Sequence, residues 1–478
     1  MNKYKGILII CLSGMMALTG CVKEQDQSDD VPVIAPTLTV DFSNVTGTVK
    51  PLNGINNGPK SNASVTDDGF EWGLDMTDIY RELDVPYVRT HDMEYPDGSD
   101  MFIDIHCIFP DFSRDADDED AYNFSGTDEY IAAIQASGAE VFYRLGESIA
   151  VSVSEAKYQY PPEDYEKWAE VCGNIIAHYN EGWNNGYEYD IEYWEIWNEP
   201  DQSRQWIGEI EEYYELYQVT ARYLKELYPD IQVGGGVLAS ASEEGVQAFL
   251  DGITDDGGET PLDFFSWHIY TDTPSDIAYR ANMVRTVLDE NGYKNTVTFL
   301  DEWNYVDDWT NIDTTWEKIR SPEIASFYAA CMITMQNSGV DAAMYYDGTM
   351  TGEYASWCGL YTSDGKKLPG YYAFQAFSQL KRLKNQVEVT YKRDPAEQGV
   401  YVCAASGKKV DAILLANTGD EIIRFQLLSN SAHSSAAFTR VNVEYPNGIT
   451  TEQKEFTGEE VLEMQAGELL YISLSDDK

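Results

Sequence analysis

The stretch Ile191-Glu192-Tyr193-Trp194-Glu195-Ile196-Trp197-Asn198-Glu199-Pro200 decides how the rest of the chain is read. Its β-branched and aromatic residues predict a buried strand from Ile191 to Asn198, and Pro200 bars the ladder from continuing. The strand therefore delivers a carboxylate, Glu199, at its carboxyl end. Taken alone, Asn198-Glu199-Pro200 reads equally as a helix start, with Asn as cap and Pro in the first turn. A second stretch removes that ambiguity. Thr296 to Trp303 is another buried strand, and Asp301-Glu302-Trp303-Asn304 closes it with a second glutamate.

Outward from these two strands the chain alternates strand and helix. Asn53-Gly54-Ile55-Asn56 is the end of a first strand. Pro86 to His91 is a second and Glu140 to Leu145 a third. Ile231 to Val237 is a fifth, rich in Gly and so close to a neighbour. Asp263 to Tyr270 is a sixth and Asp341 to Tyr346 an eighth. Helices are expected near 75–83, 127–136, 209–227, 276–289, 322–337 and 369–384. Another opens at Pro162 and carries Trp168, Cys172, Ile175 and Tyr179 as its apolar stripe. Eight such units predict an α/β fold, a (β/α)8 TIM barrel over residues 50–384.

From Asn385 the period changes to two. Val387 to Tyr391, Val410 to Leu415, Ile422 to Leu428, Val441 to Tyr445 and Leu469 to Leu474 predict a C-terminal β-sandwich over 385–478. The piece from Thr37 to Val49 has no helix of its own and is expected to add a strand to it.

Composition narrows the function. With 32 Lys and Arg against 82 Asp and Glu, the net charge is 32 − 82 = −50. Such a surface repels phosphate backbones, so nucleic acid is excluded as a partner. The 34 Tyr and 11 Trp suit ligands with one apolar and one hydroxylated face, such as sugars. Beyond Cys11 and Cys21, five cysteines remain, with no C-x-x-C, which argues for free thiols. His178 is expected as a partly exposed helix residue.

Lys3 and Lys5 precede an apolar run from Ile7 to Leu18 that is too short for a permanent span. The run ends in Leu18-Thr19-Gly20-Cys21, which resembles a bacterial lipoprotein signal. That resemblance implies cleavage after residue 20, a lipid on Cys21, a flexible tether over 21–36, and a place in the bacterial cell envelope, on the periplasmic or surface face of the outer membrane. Without Lys3 and Lys5 the charge becomes 30 − 82 = −52.

Active residues of such barrels sit at the carboxyl ends of the strands. Glu199 and Glu302 end strands four and seven, which face each other across the mouth. Two carboxylates across a cleft, about 5–5.5 Å apart, are what retaining glycoside hydrolysis needs. Glu147, after strand three, is a rival carboxylate without a partner motif. With Tyr87-Val88-Arg89-Thr90-His91 and Ser266-Trp267-His268-Ile269-Tyr270, these motifs resemble clan A of the glycoside hydrolases, and within it family 39, which holds β-xylosidases and α-L-iduronidases. The sequence departs from the β-xylosidases where Asp92, rather than Gly, follows His91, and across the loop after strand eight.

The resemblance implies that Glu199 is the general acid/base and Glu302 the nucleophile. It further implies that Asn198 binds the sugar 2-hydroxyl, that Tyr270 orients Glu302, and that His91 and His268 bind substrate. Arg89 either contacts substrate or pairs with Glu195 inside the barrel. Among Trp303, Tyr345, Tyr346 and Trp357, one stacks on the sugar ring. Glu353 either binds a hydroxyl or is solvated. The expected activity is retaining and exo-acting on a neutral plant-type oligosaccharide or polysaccharide, with β-xylosidase first, α-L-arabinofuranosidase second, and another clan A glycosidase, including one that cuts internally, as a further alternative. Two carboxyl groups complete both steps, so no metal or organic cofactor is expected. A glycan-binding lipoprotein with an inactive barrel is the alternative from another class.

Overall fold

The computed structural model describes residues 36–60, 63–66, 69–72, 74–95, 100–254, 260–349, 357–391 and 399–476. Eight parallel strands close into a barrel: Gly54–Asn56, Tyr87–Arg89, Glu140–Leu145, Tyr193–Ile196, Gln232–Leu238, Phe264–Tyr270, Val297–Asn304 and Ala342–Tyr345. The expected (β/α)8 architecture is thus observed, each strand lying within two residues of its predicted span. These strands are apolar on both faces because helices cover the outside and side chains fill the inside. Phe142, Phe264, Phe299 and Met344 form an interior plug, edged by Tyr87 and Tyr193. Burying each such ring stabilises the barrel by about 1.5–3 kcal/mol.

The Gly run in strand five has a steric cause. A Cβ on Gly234 would lie 2.2 Å from the Phe264 carbonyl oxygen, and one on Gly236 would lie 2.4 Å from the Phe265 ring. Gly236 also has φ +92°, which side chains rarely tolerate.

Several local expectations are corrected. The helix after strand three spans Tyr165–Asn180, and Asp164, not Pro162, begins it by accepting from the Lys167 backbone N–H at 3.0 Å. A helix at Glu243–Ile253, capped by Ser242, and another at Ile312–Ile319 were not anticipated. His178 is buried: Nε2 meets Asp128 Oδ1 at 2.9 Å, and its ring stacks on Phe124.

The C-terminal strands form one ten-stranded sheet with Thr37–Thr48, which pairs antiparallel with Asn385–Tyr391 and parallel with Ile423–Ser429. Strands from both ends of the order share one apolar core, including Phe425, Met464, Phe438 and Ile472, so the sheet curls over on itself. Strand Val410–Asn417 is buried on both faces. Ile413 and Leu415 enter that core, while Ala412, Leu414 and Ala416 join the barrel's core. The strand expected at 441–445 instead lies at Ser435–Val441. Asn442 Oδ1 accepts from the Tyr445 backbone N–H at 2.9 Å and turns the chain there, leaving Val443 64% exposed. Gln336 ties the units together, accepting from Lys50 N and donating to the Thr48 carbonyl, both at 2.8 Å. The five described cysteines are free.

Candidate functional site

A cavity of about 490 Å³ opens at the carboxyl end of the barrel, and Glu199 and Glu302 both line it. The backbone bringing Glu199 there is held against its preference. Trp197 has φ +73° and Glu199 φ +42°, conformations that cost about 1–3 kcal/mol each. Hydrogen bonds from Trp197 N to the Leu145 carbonyl (2.6 Å) and from Glu199 N to the Val237 carbonyl (3.0 Å) pin the segment between strands three and five.

His268 links the two glutamates. Its Nδ1 lies 2.8 Å from Glu199 Oε1 and 3.6 Å from Glu302 Oε2. One oxygen of each glutamate and a ring nitrogen of His268 lie within 4.8 Å of one another. Tyr270 donates its hydroxyl to Glu302 Oε1, and His91 Nε2 lies 3.6 Å from Oε2. Glu199, His268 and Glu302 are of metal-ligand type, and Glu302 is also held by Tyr270 and Arg89.

Two candidate substrate contacts lie buried beneath the cavity, and Arg89 takes the second of its two readings, the pair with Glu195. Arg89 is fully buried below the floor. It donates to Glu195 Oε2 (2.7 Å), Asn198 Oδ1 (2.7 Å), Asn56 Oδ1 (3.1 Å) and Glu302 Oε2 (3.3 Å), and its Nε lies 3.0 Å from Asp301 Oδ2. Five carboxylate and amide partners consume its donors, so it positions Glu302 and Asn198 and leaves nothing for a ligand. His268 is likewise fully buried, with Nδ1 on Glu199 and Nε2 3.7 Å from Asp301 Oδ1. Arg89 also fixes the orientation of Asn198. With Oδ1 turned to the guanidinium, the amide NH₂ is available on the cavity side.

The electrostatics separate the two carboxyls. Burial raises the Glu199 carboxyl above its ordinary value, and His268 withdraws only part of that rise. Burial would raise Glu302 too, but the charges of His268, His91 and Arg89 overcome it and hold Glu302 well below the usual carboxylate range. Burial would lower His268, yet Glu302 and Asp301 outweigh it and keep the imidazole charged well above its ordinary range. Under the floor, burial pushes Glu195 up to about 8 despite Arg89.

Asn198, His91, Tyr270, Tyr346 and Trp357 line the cavity together with Glu199 and Glu302. Trp303 and Tyr345 do not. Both are buried and pack on Tyr328 and Phe374. Glu353 and Cys21 lie outside the described residues. Glu147 is removed from the pair: it binds His106, Oε2 to Nδ1 at 2.5 Å.

Sequence reasoning missed Trp309, which is 60% exposed at the cavity rim with its ring 5.2 Å from Tyr270 and 5.9 Å from Trp357. It also missed Gln202 and Arg204, which line the Glu199 side. The signal for Trp309 was an aromatic in the loop directly after the second glutamate. Asp92 lines the wall too, its Oδ1 3.1 Å from His91 Nδ1.

Residues 53–347 match the family described as Glycosyl hydrolases family 39. A curated β-xylosidase from Geobacillus stearothermophilus is 28% identical over 203 residues, covering 40% of this chain and 38% of that protein. The chain spans about two fifths of the length of the curated relatives it matches, 38% and 41%. Among solved structures, a glucosidase from Croceicoccus marinus aligns with TM-score 0.74 at 22% identity, over 93% of this chain and 100% of that one. A monomeric β-xylosidase from Caulobacter crescentus aligns with TM-score 0.66 at 17% identity, over 92% of this chain and 99% of that one. Likeness at these identities shows the fold alone. The match of residues 53–347 covers more than half of the sequence, and the chain belongs to glycosyl hydrolases family 39.

Proposed function

We propose that this chain is a retaining, exo-acting glycoside hydrolase of neutral plant-type oligosaccharides, with β-xylosidase as its activity. One observation carries the mechanism: Glu199 and Glu302 present oxygens within 4.8 Å of each other, with carboxyl pKa values pushed in opposite directions. So close an approach of the nearest oxygens suits direct attack by one carboxylate, as in a retaining pair.

Ionised Glu302 attacks the anomeric carbon while Glu199 gives its proton to the departing glycosidic oxygen. The glycosyl–Glu302 ester forms as the glycosidic bond breaks. Glu199, now ionised, takes a proton from water. The oxygen of that water attacks the anomeric carbon, and Glu302 leaves as carboxylate with Glu199 reprotonated. Asn198 donates to the 2-hydroxyl, a contact that strengthens in the transition state. The substrate class rests on the family and on the β-xylosidase names of the curated relatives. A panel of nitrophenyl glycosides tests it, and NMR of the first product anomer tests retention. An inverted product contradicts the mechanism. Release of arabinose in place of xylose moves the activity to an α-L-arabinofuranosidase.

The envelope location belongs to the same proposal. It is supported by Leu18-Thr19-Gly20-Cys21, with a lipid on Cys21 holding the enzyme at the membrane.

A further inference from the structure

A second cavity, of about 480 Å³, lies beside the first and takes no part in the chemistry above. Its lining includes Phe112, Tyr158, Tyr160, Trp168, Trp197 and Glu147. Tyr158 and Tyr160 are 44% and 47% exposed. The Tyr158 ring stacks on His106, with centroids 3.5 Å apart and planes 11° apart. His106 is in turn held by Glu147 at 2.5 Å and Asp100 at 3.0 Å. One aromatic platform is therefore fixed in place, with a buried carboxylate beside it whose remaining lone pairs can accept from hydroxyls.

The two cavities share a partition. Trp197 lines the second, and the next two residues, Asn198 and Glu199, line the first. The loop after strand three and the loop after strand four are joined across it. Ala150 N donates to the Arg204 carbonyl at 2.9 Å, and Ile207 N donates to the Gln159 carbonyl at 2.7 Å. Ile149 and Arg204 face the first cavity while Tyr158 and Tyr160 face the second.

Chemistry fixes which end of a substrate points this way. The acid must reach the departing oxygen, so the leaving group lies on the Glu199 side. Gln202, Arg204 and the partition are on that side. The rings of Trp309, Tyr346 and Trp357 pack instead on Tyr270, the donor to Glu302. The partition shared by Trp197 and Glu199 would then lead a leaving-group chain from the first cavity to the second. Exposed ring faces with a carboxylate edge suit a pyranose, which has one apolar face and a hydroxylated rim. The carboxylates of Glu147, Glu163 and Asp164 repel an anionic ligand, and Lys167 Nζ is already donating to the Arg114 carbonyl.

We propose that this second cavity is a distal subsite that binds a neutral pyranose unit of the leaving-group chain, with Tyr158 and Tyr160 as its platforms. The inference rests on the glycosidase reading above. It makes this an enzyme for oligosaccharides of several units, not for disaccharides alone.

The test compares the full-length wild type with Tyr160→Ala and Tyr158→Ala on two probes: a nitrophenyl β-xyloside, which has a single sugar, and xylotetraose. Because an aromatic anchor in a pocket is lost, kcat/KM for xylotetraose is expected to fall at least about fivefold, mostly through KM. The nitrophenyl rate is expected to stay unchanged, which also shows that the variants are folded. Because Tyr158→Ala disturbs the His106 stack, the more detached Tyr160→Ala is the decisive variant. An unchanged xylotetraose rate in Tyr160→Ala, with an active wild type, overturns the subsite alone. An equal loss on both probes overturns it as well. A wild type that cleaves neither probe overturns the β-xylosidase reading and the subsite with it.

Discussion

His268 Nδ1 stands 2.8 Å from Glu199 Oε1. The same atom is 3.6 Å from Glu302 Oε2, so one charged imidazole tunes both carboxyls at once. It lowers each of them: Glu302 by its charge, and Glu199 by its hydrogen bond and charge. Removing it must therefore raise both. In His268→Gln, the acid limb of the pH profile moves up because Glu302 must still lose its proton. The alkaline limb moves up because Glu199 keeps its proton longer. The whole bell shifts to higher pH, and kcat falls about 10²-fold as the pair loses its alignment. A pH series of kcat/KM checks this; a profile that stays in place or moves down contradicts it.

Arg89 is a test of burial. Its guanidinium meets Glu195, Asp301 and Glu302, all within 3.3 Å, and Asp301 and Glu302 carry the compensating charge. Arg89→Met leaves those carboxylates without their cation. Breaking a buried pair from one side costs about 3–5 kcal/mol. Denaturant unfolding is expected to show a loss of that size, far beyond what a surface substitution gives. A stability change under 1 kcal/mol would refute the floor network.

Tyr270 offers a finer probe. Its hydroxyl donates to Glu302 Oε1, and a hydrogen bond to a charged group is worth about 1.5–3 kcal/mol. Tyr270→Phe keeps the ring in the cavity wall and removes the donor. We expect kcat to drop about 10- to 100-fold with KM little changed.

Much of this was legible beforehand, for physical reasons. Barrel strands are short, apolar on both faces and bounded by polar ends, so each stands out as a run such as Phe264 to Tyr270. Glu199 and Glu302 stood out because they close two such runs. The helix Glu243–Ile253 was missed because its acidic start reads as a solvated loop, and the strand Glu459–Met464 because alternating acids mask its apolar face. The role of Arg89 could not be decided from sequence. A cation at a strand end serves a ligand or a buried acid equally well until the inward faces of strands four and seven are seen to meet it. Trp309, Gln202 and Arg204 sit on loops, where spacing carries no period to read.

Residues 1–35 lie outside the described structure, and the anchor is tested by chemistry. Cys21→Ala is expected to move the protein from membranes to the soluble fraction or to stall its processing. Unchanged membrane partition with a normally processed terminus rules the lipid out.

The division of labour between the glutamates predicts a dependence on the leaving group. General acid help is worth about 10²–10⁴-fold. Glu199→Ala is expected to lose that factor on a natural disaccharide. With an activated aryl glycoside it should spare the first step, accumulate the covalent intermediate and lower the apparent KM. Equal slowing on both substrates, without a burst, contradicts the acid/base role.

The central claim is that Glu302 becomes covalently bonded to the sugar. A 2-deoxy-2-fluoro glycoside of the sugar selected by the nitrophenyl panel slows both steps and traps that bond. Digestion and mass spectrometry of the inactivated wild type then locate the label. One sugar per chain is expected, on the peptide containing Glu302, with no labelling in Glu302→Ala. A label on Glu199 or Glu147, or turnover through an inverted product with no label at all, would contradict it.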